Sequence, residues 1–171
     1  MGKMKTVIPA LAGIAGVVGL AGPASAGTPS TPNQRFAVSI HFGADGTETC
    51  TVAASGVIQG TGTCTITDVS ETVTRVRLIF PDGTVTLRVR GVAETSDFDE
   101  ATCTDRFTFR ERFRIVNATG AYAGASGSGI DTGAGIFSAP VTPQGCDFEH
   151  GTARIGVAAT GTVSLGGSGS A

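Results

Sequence analysis

The sequence predicts an all-β protein, a small closed antiparallel barrel of about eight strands. Three observations predict it. Apolar residues alternate with polar ones through the interior of the 171-residue chain, Thr and Val are abundant, and turn signals recur at short intervals. A β-sandwich satisfies the same pattern. The barrel is favoured because Gly60-Thr61-Gly62 and the glycine-rich stretch 120–135 read as corners and close backbone approaches, which closing a small barrel requires.

The first five residues carry Lys3 and Lys5, and an uncharged run of Ala, Gly, Val and Ile follows over 7–20. Gly22-Pro23 then breaks any helix, and Ala24-Ser25-Ala26 places small side chains where a signal peptidase reads them. Residues 1–26 are therefore expected to be a signal peptide. The run is shorter than the ~20 residues that span hydrocarbon, so the mature protein is expected to be secreted and extracellular, with no membrane segment left after cleavage. Residues 27–34 (GTPSTPNQ) and 166–171 (GGSGSA) offer little apolar area and read as a flexible leader and a flexible tail. Residues 35–165 form the barrel domain.

The strands follow in order. Residues 35–42 set Phe36, Val38, Ile40 and Phe42 on one face, with Arg35, Ala37, Ser39 and His41 on the other. Here His41 reads as a solvated strand histidine. Residues 47–53 and 57–67 flank a hairpin centred on Ala54-Ser55-Gly56. Residues 72–80 and 84–92 surround Pro81-Asp82-Gly83, where proline presets φ, aspartate accepts local hydrogen bonds and glycine takes the left-handed position. Pairing Leu78 with Val85 groups Val76, Leu78, Val85, Leu87 and Val89, which leaves Arg75, Arg77, Arg88 and Arg90 on the opposite face. Residues 106–116 repeat the design, with Arg106, Arg110, Arg112 and Arg114 against Phe107, Phe109, Phe113 and Ile115. Segments 120–130, 133–138 and 152–165 complete the set.

All four cysteines lie beyond the signal, where an oxidising compartment favours disulfides. Three pairings exist. Cys50–Cys64 with Cys103–Cys146 is preferred, because the hairpin reading sets Cys50 opposite Cys64 on one face. A metal is not expected: there is no Cys-x-x-Cys, and His41 and His150 stand far apart. No cofactor is expected either. Without the two signal lysines, ten arginines face fourteen carboxylates, a net charge of −4. That balance argues against general nucleic-acid binding.

The segment 113–129 (FRIVNATGAYAGASGSG) resembles the turn motif of the allene oxide cyclase and dirigent β-barrel superfamily, in which an apolar strand runs into a glycine-rich turn with an aromatic residue. The hairpins at 54–62 (ASGVIQGTG) and 80–84 (FPDGT) sit in the order seen in small secreted bacterial proteins with this barrel. The specific part of the likeness is 119–129. Asn117 and Ala118 stand where the family has glycines, and Ala121 where a basic residue is common. The family has two kinds of member, plant enzymes or stereochemical guides that act in the barrel lumen and uncharacterised secreted bacterial proteins, and the chain resembles the second kind. No motif of the plant lumen residues is matched.

Glu111 is the weak catalytic candidate. By alternation it points inward between Phe109 and Phe113, where a carboxylate must gain a partner or have its pKa raised. A β-bulge turning it outward, or an arginine from a neighbouring strand, would make it structural. Arg75, Arg77, Arg88, Arg90, Arg106, Arg110, Arg112 and Arg114 would form an anion-binding face if their strands are adjacent. Otherwise they keep a barrel exterior wet. Asp97, Asp99, Glu100 and Asp105 surround Cys103 in the loop 96–105. They lack the glycine and terminal glutamate of an EF-hand and read as a solvated acidic loop. Tyr122, the sole tyrosine, either meets a lumen ligand or covers the barrel end. Asn117-Ala118-Thr119 matches a glycosylation triplet by composition alone.

There is no Gly-x-Ser-x-Gly elbow, phosphate loop or His-Glu-x-x-His helix. The expected function is a secreted non-catalytic barrel that binds a small apolar ligand in its lumen or an anionic polymer or surface through its arginines. The alternatives are a cyclase- or dirigent-type enzyme using Glu111, and a purely structural extracellular protein.

Overall fold

The computed structural model describes residues 33–70 and 72–166. The expected signal peptide, most of the leader and the end of the tail lie outside the described residues. Ten strands form: β1 (Gln34–Phe42), β2 (Glu48–Gly56), β3 (Gly60–Ser70), β4 (Val73–Phe80), β5 (Gly83–Asp99), β6 (Thr104–Gly120), β7 (Ser126–Ser138), β8 (Val141–Thr142), β9 (Gly145–Cys146) and β10 (Thr152–Ser164), with a 3-10 turn at Phe148–His150. Eight of them close an antiparallel barrel in the order β1-β10-β7-β6-β5-β4-β3-β2, and β8 and β9 make a separate two-stranded ribbon. The protein is thus an all-β closed barrel rather than a sandwich.

The alternation of the sequence becomes an inside and an outside. Phe36, Val52, Leu78, Val85, Leu87, Val89, Phe113, Ala159 and Val163 fill the core. Phe36 meets Phe113 edge to face at 6.2 Å. One end of the barrel is sealed: Ile58 is fully buried, and Tyr122 packs edge to face on Phe80 at 5.7 Å. Tyr122 therefore covers the barrel end. Burial and the nearby Asp82 push its phenol pKa up. Toward the other end the inward residues Val38, Phe42, Ile66, Val76, Phe107, Phe109, Ile155 and Val157 are only half-buried. That end is a mouth.

Four local expectations change. The β2–β3 turn lies at 57–59, not 54–56, because Ile58 drops into the sealed end and is held there by Gln34. Its N–H donates to Gln34 Oε1 at 2.7 Å, and Gln34 Nε2 donates to its carbonyl at 3.0 Å. Gln34 belongs to β1 rather than to a leader and is 1% exposed. The acidic loop 96–105 is instead the tip of a long hairpin, with β5 running to Asp99 and β6 starting at Thr104. Finally, 120–138 is one turn followed by one strand, in which the glycines are strand residues.

The shifted turn still pairs Thr51 with Thr63, which sets Cys50 beside Cys64. Disulfides join Cys50 to Cys64 (Cα–Cα 5.0 Å) and Cys103 to Cys146 (5.5 Å). The first lies inside the barrel, next to Ile40 and Leu78 across the ladders. The second ties the β5–β6 tip to β9, close to the Phe98, Phe137 and Phe148 rings.

Candidate functional site

Two sites emerge, one on each side of the barrel wall. Outside, the register brings six of the candidate arginines together on three adjacent strands. Arg75 on β4 pairs with Arg88 on β5, which pairs with Arg114 on β6, and Arg90 pairs with Arg112. Arg77 lies opposite Thr86. All six are exposed. Cross-strand neighbours sit ~5 Å apart and same-face residues along a strand ~7 Å apart, so the guanidinium groups occupy one compact patch. An open groove of ≈ 290 Å³ runs between Arg88, Arg90, Arg112 and Arg114. Thr65, Thr67, Thr84, Thr86, Asn117 and Thr119 border Arg75 and Arg77.

The patch is electrostatically unbalanced. Like charges directly across a ladder repel, and the only ion pair among the described residues joins Asp147 to His150 at 2.8 Å, by the β5–β6 tip and not among these arginines. Arg110 lies beyond a register shift, opposite Ala93 and Thr132, and Arg106 lies opposite Asp97 near the hairpin tip. Arg110 nevertheless adjoins Arg112 along the same outward face of β6, at the edge of the patch, whereas Arg106 stands apart from the six.

Inside, β6 and β7 build a regular ladder. Phe107, Phe109 and Phe113 pair with Gly135, Gly133 and Gly129, and each ring occupies the space a β-carbon of its glycine would need. The series is broken once, by Glu111 opposite Asp131. Glu111 thus points inward as alternation predicts. A bulge is present, but on the facing strand at Gly91–Ala93, and it leaves Glu111 turned in. The partner is not an arginine but a second carboxyl group.

Asp131 is 4% exposed, and its Oδ1 has no hydrogen-bond partner. Glu111 is half-buried. Burial, then the charge of Asp131 and a hydrogen bond to it, then Glu94, push the Glu111 pKa up to about 7. Burial also raises that of Asp131. Two carboxyl groups in one apolar place cannot both ionise cheaply, so near neutrality they share a proton.

Asp131 is the residue of the candidate site that the sequence did not reveal. Its signal was available, since it shares the inward parity of Gly129, Gly133 and Gly135. Dividing 120–138 into two strands hid that parity.

The acidic residues at the hairpin tip serve the turn. Asp99 accepts hydrogen bonds from the Ala101 N–H and the Thr102 hydroxyl, both at 2.9 Å, and these hold its pKa below the usual range. Asp105 accepts from the Ser96 hydroxyl at 2.8 Å. Among the described residues no group of three or more His, Cys, Asp or Glu could hold a metal ion. No helix among them is long and apolar enough to cross a membrane. No family model, curated protein or solved structure matches the chain.

Proposed function

We propose that this protein is an exported, disulfide-stapled barrel that binds an anionic polymer through its outer face. The observation that carries the reading is the convergence of Arg75, Arg77, Arg88, Arg90, Arg112 and Arg114 without a carboxylate partner among the described residues. A chain whose net charge is −2 nevertheless concentrates positive charge on one wall. Bidentate donors at strand spacing suit a repeating carboxylate or sulfate. The outward positions of β4 and of the neighbouring parts of β3, β5 and β6 hold threonine, arginine, asparagine and isoleucine, with no aromatic ring on which a base would stack. That supports an acidic polysaccharide over nucleic acid.

Two further parts of the proposal rest on the sequence. Export rests on the signal pattern, and the two disulfides are consistent with an extracellular protein. Membership of the allene oxide cyclase and dirigent superfamily is supported by the segment 119–129 together with the eight-stranded barrel.

Retention on heparin-agarose tests the function. The wild type should bind at low salt and elute as salt screens the contacts. Arg88→Glu with Arg114→Glu should abolish retention. Arg35→Glu with Arg154→Glu, on strands β1 and β10, should not. Equal retention of both double variants, or no retention of the wild type at low salt, would overturn the proposal.

A further inference from the structure

The barrel sorts its charges radially. All ten arginines of the described residues are exposed on outward positions of the strands. The charged groups at inward positions toward the mouth are carboxylates: Glu48 opposite Phe42, Asp68 opposite Thr74, Glu94 opposite Phe109, Asp105 opposite Phe98, and the pair Glu111 and Asp131. On β10 the residue facing Asp131 is Ala159, and beyond it on β1 stands Phe36. No cation among the described residues faces this pair.

Two features make the pair incomplete as a structural element. Asp131 Oδ1 is shut away from solvent without a donor, and a buried acceptor left unmade is costly. On the other side, the β5 bulge at Gly91–Ala93 places Gly91 directly opposite Glu111, and a β-carbon there would meet nothing within 4 Å. The neighbouring inward glycines of β7 are filled by phenylalanine rings, whereas this one fronts open space. Bulges are over-represented at barrel rims and beside functional sites, where they re-aim a side chain or end strand pairing.

We propose that the mouth of the lumen binds a small organic cation, a primary ammonium with an apolar flank, whose N–H groups engage Glu111 and Asp131 beside Gly91. Asp131 Oδ1, which the shared proton leaves without a partner, needs a donor. The half-buried Phe109 ring, two residues from Glu111 on the same face of β6, favours a cation over a neutral molecule. A metal ion would demand more oxygen ligands than the pair supplies. The site is independent of the arginine face. Because Glu111 is protonated at acid pH, with Glu94 and Asp131 as the carboxylates facing it, binding strengthens as pH rises.

The test uses the purified protein with benzylammonium chloride as probe and benzyl alcohol as its neutral counterpart, followed by amide NMR shifts and calorimetry. Benzylammonium should give saturable shifts at Gly91, Glu111 and Asp131. Benzyl alcohol should bind about tenfold more weakly or worse. Asp131→Asn and Glu111→Gln should each weaken benzylammonium about tenfold, and affinity should fall several-fold from pH ~8 to pH ~5.5. Gly91→Leu leaves both carboxyls in place and should block binding by filling the gap, so loss of a carboxyl fold contact is not the only route to a negative result. Equal binding of alcohol and ammonium, shifts confined to the outer face, unchanged affinity in Gly91→Leu, or no saturable shift at roughly ten millimolar would each overturn the proposal.

Discussion

Replacing Glu111 by glutamine should make the barrel more stable at neutral and alkaline pH. The Glu111 pKa rises from 4.5 to about 7 on folding. A shift of that size corresponds to about 3 kcal/mol at full strength. Glu111 is half-buried at the mouth, so solvent screening reduces this to about 1–2 kcal/mol. The sign follows from the direction. A carboxyl whose folded pKa is raised gives stability that is complete below pH 4.5 and lost as pH climbs through about 7.

Wild-type stability should therefore decline across that window. The variant, which still offers Asp131 an N–H, should decline less and exceed the wild type by about 1–2 kcal/mol at pH ~8. Urea unfolding at several pH values, with disulfides intact and m-values compared, measures the difference. A variant curve parallel to the wild type from pH ~5 to ~8 would refute the reasoning, because Glu111 would then titrate alike in both states.

Other substitutions probe the frame around the site. Gly133→Val puts a side chain where the Phe109 ring lies and should cost about 1–3 kcal/mol, read as a lowered urea midpoint with unchanged m. Gln34→Ala strands the N–H and carbonyl of Ile58 and should cost about 1–3 kcal/mol, with faster hydrogen exchange at Ile58. Removing Cys50–Cys64, whose cysteines are 14 residues apart, should cost about 3 kcal/mol. Removing Cys103–Cys146, separated by 43, should cost about 4 kcal/mol. Paired serine or alanine variants compared by denaturant midpoint check both.

Strand parity was legible wherever side chains alternate plainly. The pairing of Leu78 with Val85, the inward set around it and the grouping of Arg75, Arg77, Arg88 and Arg90 follow from the turn signal at Pro81-Asp82-Gly83, and the structure has that register, with Gly83 already in β5. The inward direction of Glu111 followed from Phe109 and Phe113. What could not be read depended on residues without a signature of their own. Glycine reads as a breaker, yet Gly129, Gly133 and Gly135 are strand residues beneath aromatic rings that belong to another strand. Gln34 looks like the end of a polar leader, and only the burial of Ile58, 24 residues later, gives its amide a task. The grouping of the six arginines on one face required the β5–β6 register, which is set by pairing rather than by local sequence.

The closure of the barrel also constrains the order of assembly. Phe36 pairs with Ala159, and Asn33 exchanges side-chain bonds with Val163 across 130 residues, at 2.9 and 2.8 Å. β1 is made first, but its second edge has no partner until β10 arrives. Contacts of such separation form slowly, and a waiting strand edge invites pairing with other chains. If the chain is exported from its N terminus, as proposed above, nearly the whole length must emerge before the ring can shut. The meander from β2 to β7 pairs locally in the meantime, so Glu111 and Asp131 already face each other while the wall behind them is still open.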